Sequence, residues 1–144
     1  MNKAVIIIFF LYNFSLCAFA QDYRVLGKWK TVDDTDGRTK SIVELYMKEG
    51  KLFAKVVELL PAATTTICNS CPGDKAGKSL IQMDIVWNMR PSGTEWSGGQ
   101  IVDPKNGKVY SCLISLEKED LLKVRGYIGL SLLGRTQLWH KVKS

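Results

Sequence analysis

The sequence predicts an all-β fold: an antiparallel up-and-down β-barrel of roughly eight strands, or a closely related sandwich. Three observations support this prediction. After residue 20 there is no heptad repeat and no long amphipathic helix, and short β-rich runs alternate with Gly, Pro, Asp and Asn turns. The last two runs form a hairpin whose apolar face needs a partner sheet. Pairing of the first run with the last would close that sheet and leave no free edge.

The first 20 residues have the three parts of a secretory signal peptide. Lys3 supplies a positive charge, residues 4–12 are almost wholly apolar, and Ala18-Phe19-Ala20 places small residues where signal peptidase reads them. An uncleaved membrane anchor is the alternative, but polar residues interrupt the apolar run and no basic cluster follows it. We therefore expect export and a mature chain of residues 21–144 that forms one domain.

The first three strands follow from alternation and turn chemistry. Residues 25–32 form the first strand, which ends in an aspartate-rich turn that closes at Gly37. Residues 40–47 and 52–59 alternate apolar and polar side chains on either side of a link that contains Gly50. The sequence therefore predicts a strand followed by a hairpin, with one apolar face packed on a core.

Residues 60–79 lose the alternating pattern and are predicted to form a long loop. Cys68 and Cys71 lie in this loop, and in an oxidising compartment we expect them to form a disulfide that pins it. A thioredoxin-type redox pair is the alternative, but Pro72-Gly73-Asp74 follows where that site requires a helix. A zinc site is less favoured, because one cysteine and one histidine alone remain as further ligands in the mature chain.

Five further strands complete the count. The predicted strands are residues 80–89, 95–102, 109–116, 121–128 and 135–142, and a helical turn is the alternative for the first residues of 80–89. The turn Asp103-Pro104-Lys105-Asn106-Gly107 has proline where φ near −65° is needed and glycine at the left-handed position. Gly98-Gly99 predicts a bulge or a close backbone approach. Gly129 and Gly134 bound the apolar link of the last hairpin.

The charges are spread along the chain. The net charge is +6, or +5 without Lys3, and the basic residues alternate with strand residues or lie in turns. This pattern is typical of a solvated outer face. It contains no basic run of the kind that binds nucleic acid, and it is compatible with weak contact with an anionic envelope surface.

An ordered set of motifs resembles a known family over nearly all of residues 24–142. The motifs are Leu26-Gly27-Lys28-Trp29, Asp36-Gly37, Cys68-x-x-Cys71, Trp96-Ser97-Gly98-Gly99, Asp103-Pro104 through Gly107-Lys108-x-Tyr110, Leu122-Lys123-Val124-Arg125-Gly126-Tyr127, and Leu133-Gly134-Arg135-Thr136-Gln137 with Trp139. The set resembles the small secreted bacterial proteins called domain of unknown function 2147. The resemblance implies a lipocalin-like β-barrel in the bacterial periplasm or secreted from the cell. It implies no reaction.

Four residues are predicted to close the barrel. Gly27-Lys28-Trp29 in the first strand and Arg135 at the start of the last resemble the lipocalin arrangement, in which a tryptophan closes one end of the barrel under an arginine. We expect the Arg135 guanidinium to stack on the Trp29 indole, which would contribute about 0.5–2 kcal/mol beyond burial. Gly27 and Trp139 belong to the same structural set.

Six polar or aromatic residues are candidates for ligand contact, because a ligand barrel often places a few polar groups among aromatic ones. The candidates are Arg125, Tyr127, Tyr46, Tyr110, Trp96 and Glu44. Arg125 shares its face with Lys123, and alternation alone places that face outside. We retain the inward orientation as an alternative, in which Arg125 would bind a carboxylate or phosphate head group.

Three hypotheses for function follow. The first is non-catalytic binding of a small amphipathic or apolar molecule inside the barrel, with no cofactor or metal. The second is an interaction module that docks residues 60–79 and a basic face on an envelope protein or anionic surface. The third is a hydrolase or isomerase that uses Glu44 and Arg125 in the cavity. The sequence favours a binding protein over an enzyme.

Overall fold

The computed structural model describes residues 22–130 and 132–144, and eight of its strands close into an antiparallel barrel. The strands in chain order are β1 (Gly27–Val32), β2 (Thr39–Lys48), β3 (Lys51–Leu59), β4 (Ile67–Cys68), β5 (Lys78–Ser79), β6 (Asp84–Ser92), β7 (Glu95–Val102), β8 (Val109–Lys118), β9 (Leu121–Tyr127) and β10 (Gly134–Lys141). The order around the barrel is β1, β10, β9, β8, β7, β6, β3 and β2. The predicted eight-stranded barrel is confirmed, whereas the predicted signal peptide lies outside the described residues.

Pairing between the first and last strands closes the barrel. Trp29 of β1 lies opposite Lys141 of β10, and Lys30 lies opposite His140. On the other side of β1, Trp29 pairs with Val43 of β2. The predicted closure therefore holds, and β1 and β10 leave no unpaired sheet edge.

Residues 80–83, predicted as the start of a strand with a helical turn as the alternative, form a turn that is not helical. The Met83 amide donates to the Leu80 carbonyl at 3.0 Å, and Gln82 has a φ of +68°. The Gln82 amide donates to the Val56 carbonyl at 2.7 Å, and the Val56 amide donates to the Met83 carbonyl at 3.0 Å. The turn thus provides hydrogen-bond partners for the amide and the carbonyl of Val56, at the point where the regular pairing of β3 with β6 ends.

Gly98 and Gly99 form the predicted irregularity in β7. Gly98 has a φ of +77°, and the register between β7 and β8 shifts between Trp96 and Gly99. A Cβ at Gly99 would collide with the Trp87 carbonyl oxygen and lie 2.7 Å from the Met89 nitrogen. The bulge and the close backbone approach therefore occur together, and they bend the strand as barrel closure requires.

A disulfide closes a turn within the long loop, and the turn between β7 and β8 packs against that loop. The predicted bond between Cys68 and Cys71 is present, both residues are buried, and β4 pairs with β5 within the loop. The Cys68 sulfur lies 3.6 Å from the Pro104 carbonyl oxygen, and Gly107 packs against the peptide that joins Ser70 to Cys71. A side chain at position 107 would displace the loop, so glycine is required there for space as well as for its φ of +71°.

A 3₁₀ turn at Tyr23–Val25 closes one end of the barrel. The Trp29 indole nitrogen donates to the Val25 carbonyl at 2.8 Å, and Trp29 is fully buried. The Trp96 indole donates to the Asp22 carbonyl at 3.4 Å and meets the Tyr23 ring edge-on, with the ring centroids 5.9 Å apart. Two tryptophans thus anchor the chain that crosses the barrel floor.

The cation over Trp29 is Lys141, so the predicted stacking of Arg135 on this ring is wrong. The Lys141 ammonium lies 4.6 Å from the centroid of the Trp29 ring and donates to the Leu26 carbonyl at 2.8 Å. The register explains the difference, because Lys141 is opposite Trp29. Arg135 lies six residues earlier in β10, about 20 Å along the strand.

None of the helices in the described part of the chain is long and apolar enough to cross a membrane.

Candidate functional site

The barrel encloses an open cavity at the end opposite the 3₁₀ turn. The cavity has a volume of about 780 Å³ and is bordered by barrel strands, by two turns and by part of the loop between β3 and β6. Its walls are mainly apolar, and the residues that form them include Val56, Leu59, Ile85, Ile101, Val124 and Trp139. Because the side chains of a strand alternate between its two faces, Val124 and Gly126 face this space while Arg125 between them faces outward.

Two turns of matching structure form opposite parts of the rim. In residues 33–38, the Asp33 amide donates to the Arg38 carbonyl at 3.0 Å, and in residues 103–108 the Asp103 amide donates to the Lys108 carbonyl at 2.9 Å. Each of the two aspartate carboxylates also accepts from the backbone amide two residues later. Both turns are therefore rigid platforms for the side chains that they carry.

An ion pair joins these turns across the rim. Lys105 donates to the Asp33 carboxylate, which is 6% exposed. Burial alone would raise the pKa of Asp33, but hydrogen bonds from Lys105 and from Thr35 outweigh it and hold the pKa well below its usual range. The same pair raises the pKa of Lys105. The first and second halves of the chain are thus linked at the cavity mouth.

A second polar chain runs from the rim into the cavity. The Arg135 guanidinium donates to the Asp34 carboxylate at 2.7 Å, and Gln137 donates to the other Asp34 oxygen at 3.1 Å. The Trp139 indole then donates to the Gln137 amide oxygen at 2.9 Å. Burial raises the pKa of Asp34, but the hydrogen bonds from Gln137 and Arg135 outweigh it, so this pKa also lies below its usual range. Arg135 therefore lies at the open rim of the barrel and not at its closed end.

Two hydroxyl groups provide a polar point on the cavity wall. The hydroxyl oxygens of Thr31 and Ser41 are 2.9 Å apart, and the Ser41 amide donates to the Thr31 hydroxyl at 3.2 Å. Both residues line the cavity and are at least nine-tenths buried. They can exchange a hydrogen bond with a polar group of a bound molecule.

Of the six candidate ligand contacts, Tyr110 lines the cavity and the other five do not. Trp96 is buried at the closed end. Tyr46 donates to Asp84 at 2.6 Å on the outer wall, where burial and this hydrogen bond raise its pKa. Glu44 lies between Lys28 and Lys55 in the sheet register. Its alternation with buried Val43 and Leu45 places it on the outside.

Arg125 and Tyr127 lie on the outer face of β9, which is the orientation that alternation alone favours. The Arg125 guanidinium donates to the Thr136 hydroxyl at 2.9 Å and to the Leu132 carbonyl at 3.3 Å. Inward positions on this strand are taken by Leu122, Val124 and Gly126. The geometric basis for a hydrolase with Glu44 and Arg125 in the cavity is therefore absent from the described residues.

The free thiol among the described residues does not line the cavity. Cys112 is fully buried, and burial raises the pKa of its thiol to about 12. No cluster of three or more His, Cys, Asp or Glu within residues 22–130 and 132–144 could hold a metal ion. The chemistry of the site is therefore that of an apolar space with a charged rim.

Sequence reasoning missed the residues that form the rim. Asp33, Asp34, Lys105 and Gln137 were treated as turn or strand residues, and Arg135 was assigned to the opposite end. One signal was available: both turns have the pattern Asp-x-x-(Asp or Asn)-Gly-(Arg or Lys). Two matching turns at corresponding ends of antiparallel strands predict a shared rim.

Comparisons with known proteins agree with this fold. A family model described as "Uncharacterized protein conserved in bacteria (DUF2147)" matches residues 27–141. The solved structure of protein HP1028 from the human pathogen Helicobacter pylori, which belongs to the lipocalin family, is similar with a TM-score of 0.72. The two chains are 16% identical, and the match covers 83% of each. No curated protein sequence matches the chain. The chain therefore has a lipocalin-like barrel.

Proposed function

The chain belongs to the DUF2147 family of uncharacterised bacterial proteins, and we propose that it binds a small amphipathic or apolar molecule in the open cavity of its barrel. The observation that carries this proposal is the cavity itself. Its volume of about 780 Å³ lies within the roughly 300–1,000 Å³ of small-molecule sites, and its walls are mainly apolar. Transfer of an acyl or ring system from water to these walls supplies the binding free energy.

The rim sets the orientation of the bound molecule. The apolar part of the ligand lies against Val56, Val124 and Trp139, and the polar end of the ligand lies among the charged side chains of the cavity mouth. Arg135 is 61% exposed and keeps donors that a carboxylate or phosphate can reach. The polar end of the ligand is thus assigned to Arg135 and Lys105 and not to Arg125.

We also propose that the protein acts outside the cytoplasm, in the bacterial periplasm or beyond it. The predicted signal peptide, the Cys68–Cys71 disulfide and the bacterial family together support export. The long loop then contributes to ligand binding, because Ala63, Thr64 and Thr65 border the cavity.

Two neighbouring alanines provide a matched test of the cavity. Ala63 lines the cavity and Ala62 does not, although both lie in the same loop and are partly buried. The test is titration of the protein with a fluorescent fatty acid. We expect saturable binding to the wild type, a loss of at least about tenfold in affinity for Ala63→Trp, and a change of less than about threefold for Ala62→Trp.

Folding of both variants is checked by circular dichroism before the titration. Absence of saturable binding to the wild type would contradict the proposal for this class of ligand. Equal affinities of the two tryptophan variants would place the probe outside the cavity and would contradict it as well.

A further inference from the structure

The tip of the β9–β10 hairpin exposes four large aliphatic side chains to water. Ile128, Leu130, Leu132 and Leu133 are 63%, 70%, 84% and 70% exposed. No other large apolar side chain in the described part of the chain exceeds the 55% of Tyr23. A cluster of large aliphatic side chains on a solvent-exposed surface marks an interaction site.

The tip is a folded structure. The Leu133 amide donates to the Leu130 carbonyl at 3.0 Å, and the Ile128 amide donates to the Leu133 carbonyl at 3.3 Å. Arg125 donates to the Leu132 carbonyl from the base of the hairpin. The apolar side chains are therefore presented by a hydrogen-bonded turn.

The tip also borders the cavity mouth. Ile128 and Leu133 line the cavity, whereas Leu130 and Leu132 do not. One side of the turn thus faces the proposed binding site, and the other side faces solvent. A binding partner that covers Leu130 and Leu132 therefore lies beside the cavity mouth.

We propose that this tip inserts into the surface of an anionic lipid bilayer and places the cavity mouth against it. Two arginines flank the tip: Arg125 at its base and Arg135 at the start of β10. Aliphatic side chains beside arginines match the acyl boundary and the anionic head groups of such a surface. The net charge of +5 that remains without Lys3 acts in the same direction.

The same charges disfavour a second copy of this chain as the occupant. A symmetric dimer through the tip would bring Arg125 and Arg135 of one copy close to the same residues of the other. The outer wall below the tip offers no continuous apolar face to a partner, because Tyr127 and Leu138 lie there among Lys123, Arg125 and Thr136. A narrow apolar tip can insert into a bilayer without a complementary flat surface.

The test is co-sedimentation of the full protein with vesicles. One set contains phosphatidylglycerol and phosphatidylcholine, and the other contains phosphatidylcholine alone. The variant is Leu130→Ser/Leu132→Ser, and the matched control is Ile81→Ser/Leu138→Ser, which removes two aliphatic side chains of 41% exposure elsewhere. Both should fold like the wild type, because all four side chains are exposed.

We expect the wild type to bind the anionic vesicles at least about tenfold more strongly than the neutral ones, and to be released by high salt. The tip variant should lose at least about tenfold in vesicle binding, and the control should stay within about twofold of the wild type. The tip variant should still bind the fluorescent fatty acid, which separates this inference from the proposed function.

Equal vesicle binding by the wild type and the tip variant would overturn the proposal. So would a wild type that does not bind anionic vesicles. A tip variant that changes the protein from dimer to monomer, measured by light scattering without vesicles, would assign the tip to self-association instead and would also overturn it.

Discussion

Replacement of Trp29 by alanine is expected to destabilise the barrel by about 3–5 kcal/mol. Trp29 is fully buried, donates to Val25 and lies under the Lys141 ammonium. Its removal leaves a cavity at the closed end and frees the 3₁₀ turn that covers this end. Since small domains are stable by about 5–15 kcal/mol, the variant should be partly or largely unfolded at 37 °C. Urea unfolding followed by circular dichroism measures the loss.

Trp87→Ala is the matched control for this effect. Trp87 is half-buried on the outer wall, where the Lys75 ammonium lies 4.7 Å from its ring centroid. It fills no part of the barrel floor, so its loss should cost about 1–2 kcal/mol. Equal losses for Trp29→Ala and Trp87→Ala would show that the floor does not depend on Trp29.

Asp33→Asn is expected to lower the free energy of unfolding by about 1–3 kcal/mol at neutral pH. The carboxylate of Asp33 is buried, accepts from the Thr35 amide at 2.8 Å and pairs with Lys105 from the opposite turn. Asparagine keeps the shape and one acceptor but loses the charge. The rim would then lose its connection between residues 33–38 and 103–108.

The depressed pKa of Asp33 determines how its contribution to the free energy of unfolding changes with pH. The folded pKa of Asp33 is depressed below its unfolded value of about 3.9, so the stabilisation is present above that value and is lost as pH falls through the folded pKa. The stability difference between the wild type and Asp33→Asn should therefore be constant above about pH 5 and shrink below about pH 4. Asp36→Asn is the control, because its exposed carboxylate pairs with Lys40 and should matter far less. A difference that grows towards acid pH would contradict this role.

The elements that were predictable are those with a local cause. The last hairpin was located to within a residue or two because glycines bound its link and its strands alternate. The bulge at Gly98-Gly99 and the Cys68–Cys71 disulfide also follow from residues close together in the chain. Closure between β1 and β10 was predictable because an open sheet would have left two edges.

The elements that were missed depend on residues far apart in the chain. Lys105 and Asp33 are separated by 72 positions, and Arg135 and Asp34 by 101. Neither of these sequence separations produces a periodic pattern in the sequence. The register of β10 against β1 decides whether Lys141 or Arg135 reaches Trp29, and the sequence does not fix that register. The orientation of Arg125 was ambiguous for another reason, because its strand carries apolar residues on both faces, with Leu121 on one and Leu122 on the other.

Mass spectrometry of the protein recovered from its bacterial host shows whether the barrel carries a small molecule. The native and denatured masses of one sample are compared. We expect an extra mass in the native spectrum that disappears on denaturation. The denatured mass should be that of residues 21–144, about two mass units lighter than the same chain with free thiols. A native mass equal to that of the bare chain would contradict the carrier function, and a retained signal peptide would contradict export.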